Sequence, residues 1–143
     1  DVAVLRGEYP WDGTQFLLSQ ENICLLCSEE KKDRPISDYL YIDHSSDATI
    51  SAQMARWRYE NGVTNDAGNF VVDNIMVCRE MVERGLGWAL MPEVALDNFK
   101  GYVKPCTFEN GEPFVRRTYI FCQRDAVALP QVQLFMDMLK KHR

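Results

Sequence analysis

The sequence predicts an α/β fold with an open sheet, and three observations support it. The apolar residues 70–72 are followed by a helical pattern from Ile75 and by a second apolar run at 87–91. The strand-like residues 39–42 also precede a helical pattern. A helix between two strands normally forms a right-handed crossover, and such sheets bind ligands at the carboxyl ends of their strands. The continuous apolar segment 1–5 matches a strand buried on both faces of a parallel sheet.

The composition is that of a globular protein. With 143 residues, 46% of them hydrophobic, the chain can bury a core as one domain or as two small lobes. It has neither a run of about eighteen apolar residues nor the layout of a signal peptide, so we expect a soluble, cytoplasmic protein. The net charge of -5 disfavours a broad contact with a nucleic-acid backbone. We expect any contact with DNA to need residues outside this chain.

The first part of the chain is predicted to be mainly extended. The strand at 1–5 begins at the first residue, so we expect the chain to be a fragment of a longer one. Residues 8–14 contain a proline and an Asp-Gly pair and are predicted to form a loop. Two strand-like runs, 16–18 and 23–27, are separated by four polar residues, which suits one long strand that passes between lobes. The charged link 29–33 is interpreted as a solvated turn.

Two amphipathic helices follow, each behind a strand. Their apolar residues fall at helical spacing: Ile50, Met54 and Trp57 in the first helix, and Ile75, Cys78, Met81 and Val82 in the second. Asn61 and Gly62 are predicted to end the first helix, and Gly85 the second, because glycine readily adopts the left-handed conformation. Pro92 halts the next strand and is predicted to begin a short helix through Leu96.

The last part is predicted to contain a strand and a helix. Residues 101–108 are extended, an Asn-Gly turn follows at 110–111, and 118–122 form a strand. The final helix begins at Pro130 with an apolar stripe of Val132, Phe135, Met136 and Leu139. The basic residues 140–143 are interpreted as a favourable charge placement at the helix end rather than as a nucleic-acid tail.

The order of these elements predicts that one lobe is inserted into another. Residues 35–106 form a compact set of strand–helix units. They are flanked by strand-bearing segments at 1–34 and 107–143. We therefore assign the flanking segments to one lobe and the central segment to a second.

Both predicted strand–helix turns lie at one edge of the sheet, where exposed backbone N–H groups form an anion site. Asp73 places a negative charge at its helix start and is interpreted as the cap. Ser45 and Ser46 leave the other start neutral and supply hydroxyl donors, with Thr49 one turn on. We therefore predict that the serine end binds a carboxylate, with Arg6 as a bidentate partner. The alternatives are that the serines only cap the helix and that Arg6 forms a surface ion pair.

Catalytic, redox and metal chemistry have little support. His44, Ser45 and Asp47 are the residue types of a hydrolase triad, but sequence neighbours cannot adopt its geometry. We interpret His44 as a satisfied or exposed loop residue rather than a general base. Cys24 and Cys27 match C-x-x-C, yet strand alternation sends their side chains to opposite faces. We expect five packing cysteines, no metal, no cofactor and no enzyme activity.

Three segments carry a resemblance to a known family. They read VDNIMVCREMVERGLGWALMPEVAL at 72–96, DVAVLRGEYPWDG at 1–13 and YIFCQRDAVALPQVQLFMDML at 119–139. Together they resemble the effector-binding part of LysR-type transcriptional regulators, over nearly the whole chain. The resemblance implies a type II periplasmic-binding-protein-like fold, with two α/β lobes joined by crossover segments. It also implies that the first lobe is incomplete and that the DNA-binding domain and linker helix of the family lie outside the chain.

The same resemblance implies a binding site and partners. A small effector would bind between the lobes, and the full-length protein would form a homodimer or tetramer that contacts DNA only through its N-terminal domain, without a membrane partner. The residues that would line the cleft are Arg6 and Gly7 at a strand end, His44, Ser45, Ser46 and Thr49 at one helix start, and Val72, Asp73 and Asn74 at the other.

The leading hypothesis is therefore the sensory domain of a LysR-type regulator, which binds a small anionic metabolite without chemistry. A second hypothesis is a solute-binding protein of the same fold, which would need a secretion signal upstream. A third is a small deaminase or thiol enzyme, for which the sequence offers no activating partner of a nucleophile.

Overall fold

A computed structural model describes most of the chain: residues 2–6, 11–44, 48–63, 70–123 and 129–141. The chain divides into two compact units. Unit 1 consists of Asp1–Glu21 and Val115–Arg143, and unit 2 of Asn22–Phe114. One unit is thus inserted into the sequence of the other.

The described residues form strands β1 Val2–Arg6, β2 Thr14–Cys27, β3 Ile42–His44, β4 Phe70–Val72, β5 Ala89–Pro92, β6 Tyr102–Pro105 and β7 Val115–Cys122, and helices α1 Ala48–Glu60, α2 Ile75–Glu83 and α3 Pro130–Lys141. Short 3-10 helices occur at Glu29–Lys31, Ile36–Asp38 and Glu93–Leu96. Strand β2 contributes its first half to unit 1 and its second half to unit 2. The unit boundaries therefore fall inside β2 and just before β7, whereas the predicted lobe boundaries fall at 34/35 and 106/107. The assignment of the units to the lobes stays a prediction.

In unit 1, strand β7 lies between β1 and β2, and α3 packs on it. Strand β1 is antiparallel to β7, with Val2 opposite Cys122. The prediction of a parallel strand buried on both faces is therefore wrong. Val4 and Leu5, which point to opposite faces of β1, are 44% and 43% exposed, so neither face is fully covered.

The apolar stripe of α3 is narrower than predicted. Val132 and Met136 are buried against Ile120 and Cys122 of β7, as expected. Phe135 is 42% exposed, so its assignment to the buried stripe is wrong. It lies about 100° around the helix from Met136, which turns it away from the strand.

Unit 2 contains a mixed sheet with β2 near its centre. Its second half pairs antiparallel with β5 on one side and with β6 on the other. Strand β3 is parallel to β4 and also runs parallel to the start of β5, where Tyr41 and Trp88 form a bridge. The predicted order of strand, helix and strand is confirmed in β4, α2 and β5, and β4 and β5 flank β3.

The two helices of unit 2 cover opposite faces of this sheet. Trp88 and Leu90 pack in a hydrophobic cluster that contains the apolar stripe of α1. Ala89 and Met91 pack in a second cluster with Cys78 and Val82 of α2. Side chains of a strand alternate between its faces, so β5 has a buried residue at every position. This double burial explains why its sequence is a continuous apolar run.

Candidate ligand-binding site

The carboxyl ends of β3 and β4 lie side by side in unit 2. Their parallel register places His44 opposite Val72, and each strand is followed by a helix, α1 or α2. Of the predicted ligand-binding residues, these strand ends and the helix starts behind them carry His44, Thr49, Val72, Asp73 and Asn74. The structure thus brings the ends of these two strands to one edge of a sheet.

The structure does not place the other predicted ligand-binding residues at this edge of the sheet. Gly7, Ser45 and Ser46 lie outside the described residues. Arg6 is the last residue of β1 in unit 1, and its side chain is exposed. Their roles as ligand contacts stay predictions.

His44 is the most informative side chain at this edge. It ends β3 and is 5% exposed, so its interpretation as a loop residue is wrong. Its Nε2 lies 2.8 Å from the carbonyl oxygen of Leu90, which can only accept, so Nε2 carries hydrogen and donates. The buried Nδ1 has no partner among the described residues. This atom accepts a hydrogen bond when the ring is neutral and donates one when it is protonated.

The start of α2 is capped by Asn74, not by Asp73 as predicted. The Asn74 side-chain oxygen accepts from the backbone N–H groups of Met76 at 2.8 Å and Val77 at 3.3 Å. Asp73 is exposed and precedes the cap. Both residue types cap helices well, so sequence preference alone does not separate them. Two of the donors at the start of α2 are already bound to a protein oxygen.

Replacing Asn74 with alanine is expected to lower the free energy of unfolding by about 1 kcal/mol, because two backbone donors lose their acceptor. Urea unfolding followed by circular dichroism measures the loss. Asp73→Ala is the matched control and should stay within about 0.5 kcal/mol of the parent. Equal losses in the two variants would contradict the assignment of Asn74 as the cap.

The cysteines are packing residues of the core. All five lie within the described residues, and they are buried without a disulfide. Burial raises the pKa of Cys78 and of Cys106 to about 12, and it also raises that of Cys27. At these three cysteines the reactive thiolate form is therefore scarce near neutral pH. Within the described part of the chain, no group of three or more His, Cys, Asp or Glu side chains is placed to hold a metal ion.

Sequence reasoning missed Arg58, which lies in the last turn of α1 and is 7% exposed. Its guanidinium carbon lies 4.3 Å from the centroid of the Tyr41 ring. The helical spacing of the sequence could have indicated that Arg58 is buried. Arg58 is four residues after Met54, so a charged residue falls on the apolar stripe of α1.

The comparisons with known proteins agree with this architecture. The family model described as LysR substrate binding domain matches residues 1–143. The chain belongs to the LysR substrate-binding domain family. Two curated relatives from Bacillus subtilis (strain 168) are the uncharacterised HTH-type transcriptional regulators YkuM, 28% identical over 142 residues, and YraN, 25% identical over 140 residues. Each alignment covers 97% of this LysR domain and 48% of the relative, so the chain spans about half the length of these regulators.

Solved regulatory domains have the same fold. HypT from Salmonella typhimurium in its apo form has a TM-score of 0.69 at 11% identity, over 99% of this chain and 71% of that one. CcmR from Synechocystis PCC6803 in complex with 2-PG has a TM-score of 0.66 at 13% identity, over 99% and 72%. Likeness at these identities shows the fold alone. The type II periplasmic-binding-protein-like fold of the LysR domain is thereby confirmed.

Proposed function

We propose that this LysR domain is the effector-sensing part of a bacterial transcriptional regulator. It binds a small anionic metabolite without chemistry and passes the change to a DNA-binding domain outside this chain. The observation that carries the proposal is the buried Nδ1 of His44 at the carboxyl end of β3, which has no partner among the described residues and can donate to an anion when the ring is protonated. This is the edge at which α/β sheets bind their ligands.

The start of α1 supports an anionic ligand. Its first turn contains no acidic side chain, although Asp47 directly precedes it in the sequence, and a helix start carries a partial positive charge. At the start of α2, by contrast, the Asn74 oxygen already occupies two donors. We therefore place the anionic group of the effector near His44, Ser45, Ser46 and Thr49. The turn at 72–74 would complete this part of the site.

Two solved relatives of the same fold are compatible with such a ligand. The OxyR2 E204G mutant regulatory domain from Vibrio vulnificus, with a TM-score of 0.62 at 14% identity, is sulfate-bound. It matches 98% of this chain and 69% of its own. The CcmR domain described above is in complex with 2-PG.

The proposed effector site is tested by two substitutions of His44. Glutamine keeps a donor near the Nε2 position but removes Nδ1, whereas asparagine keeps a polar atom near Nδ1 and leaves the Leu90 carbonyl without its donor. We expect His44→Gln to weaken effector binding at least about tenfold with little loss of stability. His44→Asn should lose about 1–3 kcal/mol of unfolding free energy yet retain more of the binding.

The measurement is thermal unfolding of the full-length protein with a panel of small carboxylates and phosphate esters. A bound compound should raise the parent Tm on the order of 5 °C at a hundredfold excess over its Kd. A folded parent with no response to the panel would contradict the anion site. Equal binding by the parent and His44→Gln would contradict the role of Nδ1.

A second copy of the chain is the proposed partner of an exposed apolar surface in unit 2. We define the β4–α2 surface by Phe70, Met76 and Val77 together with Val71, which alternation places on the other face of the same strand; each is at least 49% exposed. Strand β3 is the one described neighbour of β4, so one edge of β4 offers unpaired backbone groups. Exposed apolar patches of this kind mark interaction sites, and LysR regulators self-associate. A twofold contact would place the same surface on both copies.

The cellular location follows from the regulator proposal, which places the protein in the cytoplasm. None of the helices in the described ranges has both the length and the apolar character needed to cross a bilayer. The alternative, a solute-binding protein of the same fold, would carry a secretion signal in place of a DNA-binding domain. Operator binding by the full-length protein that changes with the effector supports the regulator.

A further inference from the structure

The aromatic cluster of unit 2 contains a buried positive charge. The Arg58 guanidinium lies over the Tyr41 ring, and no carboxylate in the described part of the chain forms an ion pair with it. Arg79 and Arg116, which are also largely buried, each pair with a glutamate. A charge removed from water is costly unless an opposite charge or several hydrogen bonds compensate it. Attraction to an aromatic face compensates only part of that cost.

Two more polar groups beside Arg58 lack a hydrogen-bond partner among the described residues. The Tyr41 and Trp88 rings have centroids 4.7 Å apart, and both side chains are buried. The unpartnered atoms are Arg58 Nε, the Tyr41 hydroxyl oxygen and Trp88 Nε1. Guanidinium and indole N–H groups only donate. The Tyr41 oxygen can accept a hydrogen bond from Arg58, so what the cluster lacks is an acceptor for the Tyr41 hydroxyl and Trp88 indole protons.

Trp88 differs in this respect from the other tryptophans of the chain. The Trp57 indole donates to the carbonyl of Thr107 at 3.1 Å, and the Trp11 indole donates to that of Cys122 at 3.0 Å. A buried indole usually finds such a partner. The missing acceptor is thus a local property of the cluster around Arg58.

The nearest electrostatic partners do not supply this acceptor. Burial raises the pKa of Tyr41, the Arg58 charge opposes that effect, and Asp43 adds to it. Tyr41 therefore keeps its proton at neutral pH and remains a donor. Asp43 accepts from the backbone N–H of His44 and forms no ion pair with Arg58.

We propose that Arg58, Tyr41 and Trp88 bind a small anion, such as chloride or a monocarboxylate the size of formate. The guanidinium supplies the charge, and the hydroxyl and indole groups donate hydrogen bonds. The burial of all three side chains limits the ligand to a few atoms. The site is distinct from the proposed effector site, because Tyr41 precedes β3 and Arg58 ends α1, whereas His44 ends β3 and leads into α1.

The test uses the full-length protein labelled with 5-fluorotryptophan and prepared in sodium gluconate, whose anion is too large for the site. Replacing gluconate with chloride or formate at constant ionic strength should shift the Trp88 fluorine resonance saturably. The resonances of Trp11 and Trp57 should stay in place, and Trp88→Phe assigns the signal. The Tm should rise on the order of 5 °C at a hundredfold excess of anion over Kd.

Arg58→Met should abolish the shift, and Tyr41→Phe, which keeps the ring, should weaken anion binding several-fold. Arg84→Met is the matched control, because Arg84 is an exposed arginine just after α2 that pairs with Glu80, and it should respond like the parent. A Trp88 signal that does not move, or that moves equally in Arg58→Met, overturns the proposal. An anion response that appears only in Asp66→Asn, a position outside the described residues, would identify the chain's own carboxylate as the counter-ion and also overturn it.

Discussion

Replacing Gly87 with alanine is expected to destabilise unit 2 by about 3 kcal/mol or to prevent its folding. A β-carbon at this position would lie 2.3 Å from the carbonyl oxygen of Leu40 and 3.1 Å from two side-chain carbons of Ile42. The Leu40 oxygen cannot move away easily, because it accepts the backbone N–H of Trp88 at 3.0 Å. The clash therefore separates the start of β5 from the segment that leads into β3. Urea unfolding of the variant measures the loss.

Gly85→Ala is the matched control two residues earlier. Gly85 has a φ of 77°, and its added β-carbon would meet only the Ser28 hydroxyl oxygen at 3.8 Å. The cost there is about 1 kcal/mol, from the left-handed backbone alone. If both variants lose the same stability, the close approach at Gly87 is not what requires glycine.

Gly85 and Gly87 show which requirements for glycine follow from the local sequence and which do not. The left-handed conformation of Gly85 follows from its position after an amphipathic helix, and it was predicted. The requirement at Gly87 comes from the pairing of residues 40–42 with Trp88, which are far apart in the chain. Local patterns therefore predict β4, α2 and β5. The pairing of residues 40–42 with Trp88, which makes β3 the neighbour of β5, is visible only in the structure.

The errors at other positions have similar physical causes. The apolar run of β1 predicts burial on both faces, but a run of this kind does not specify what packs on those faces. At the start of α2, Asp73 and Asn74 are both good caps, and backbone geometry decides between them. The sequence predicts a loop at His44 because the predicted strand 39–42 ends two residues before β3 does. Boundaries of short strands depend on pairing rather than on local sequence.

The candidate site was predictable in outline because strand ends and helix starts have sequence signals. The sequence predicts a helix after each of two strands, and the parallel register brings the ends of β3 and β4 together. The orientation of His44 was not predictable, since it depends on the carbonyl of Leu90 in a strand 46 residues away. The burial of Arg58 likewise depends on Tyr41, which belongs to another element.

Replacing Val71 with glutamate is expected to weaken self-association of the full-length protein about a hundredfold, or about 2.7 kcal/mol. Val71 is 67% exposed in β4, so the change should leave the stability of the fold nearly unaltered. In a twofold contact each substitution places a charge on both copies, and each charge would lose water without gaining a partner. Sedimentation velocity over a range of concentrations measures the dissociation constant.

Val94→Glu is the matched control for this prediction. Val94 is 69% exposed and lies in the 3-10 helix after β5, so the residue type, the exposure and the added charge are the same. If Val94→Glu weakens self-association as much as Val71→Glu, the effect is one of net charge rather than of the surface. If Val71→Glu remains as fully associated as the parent, the β4–α2 surface is not the contact between copies. A selective effect of Val71→Glu would instead show why an edge strand in this domain keeps apolar side chains in contact with water when the chain is alone.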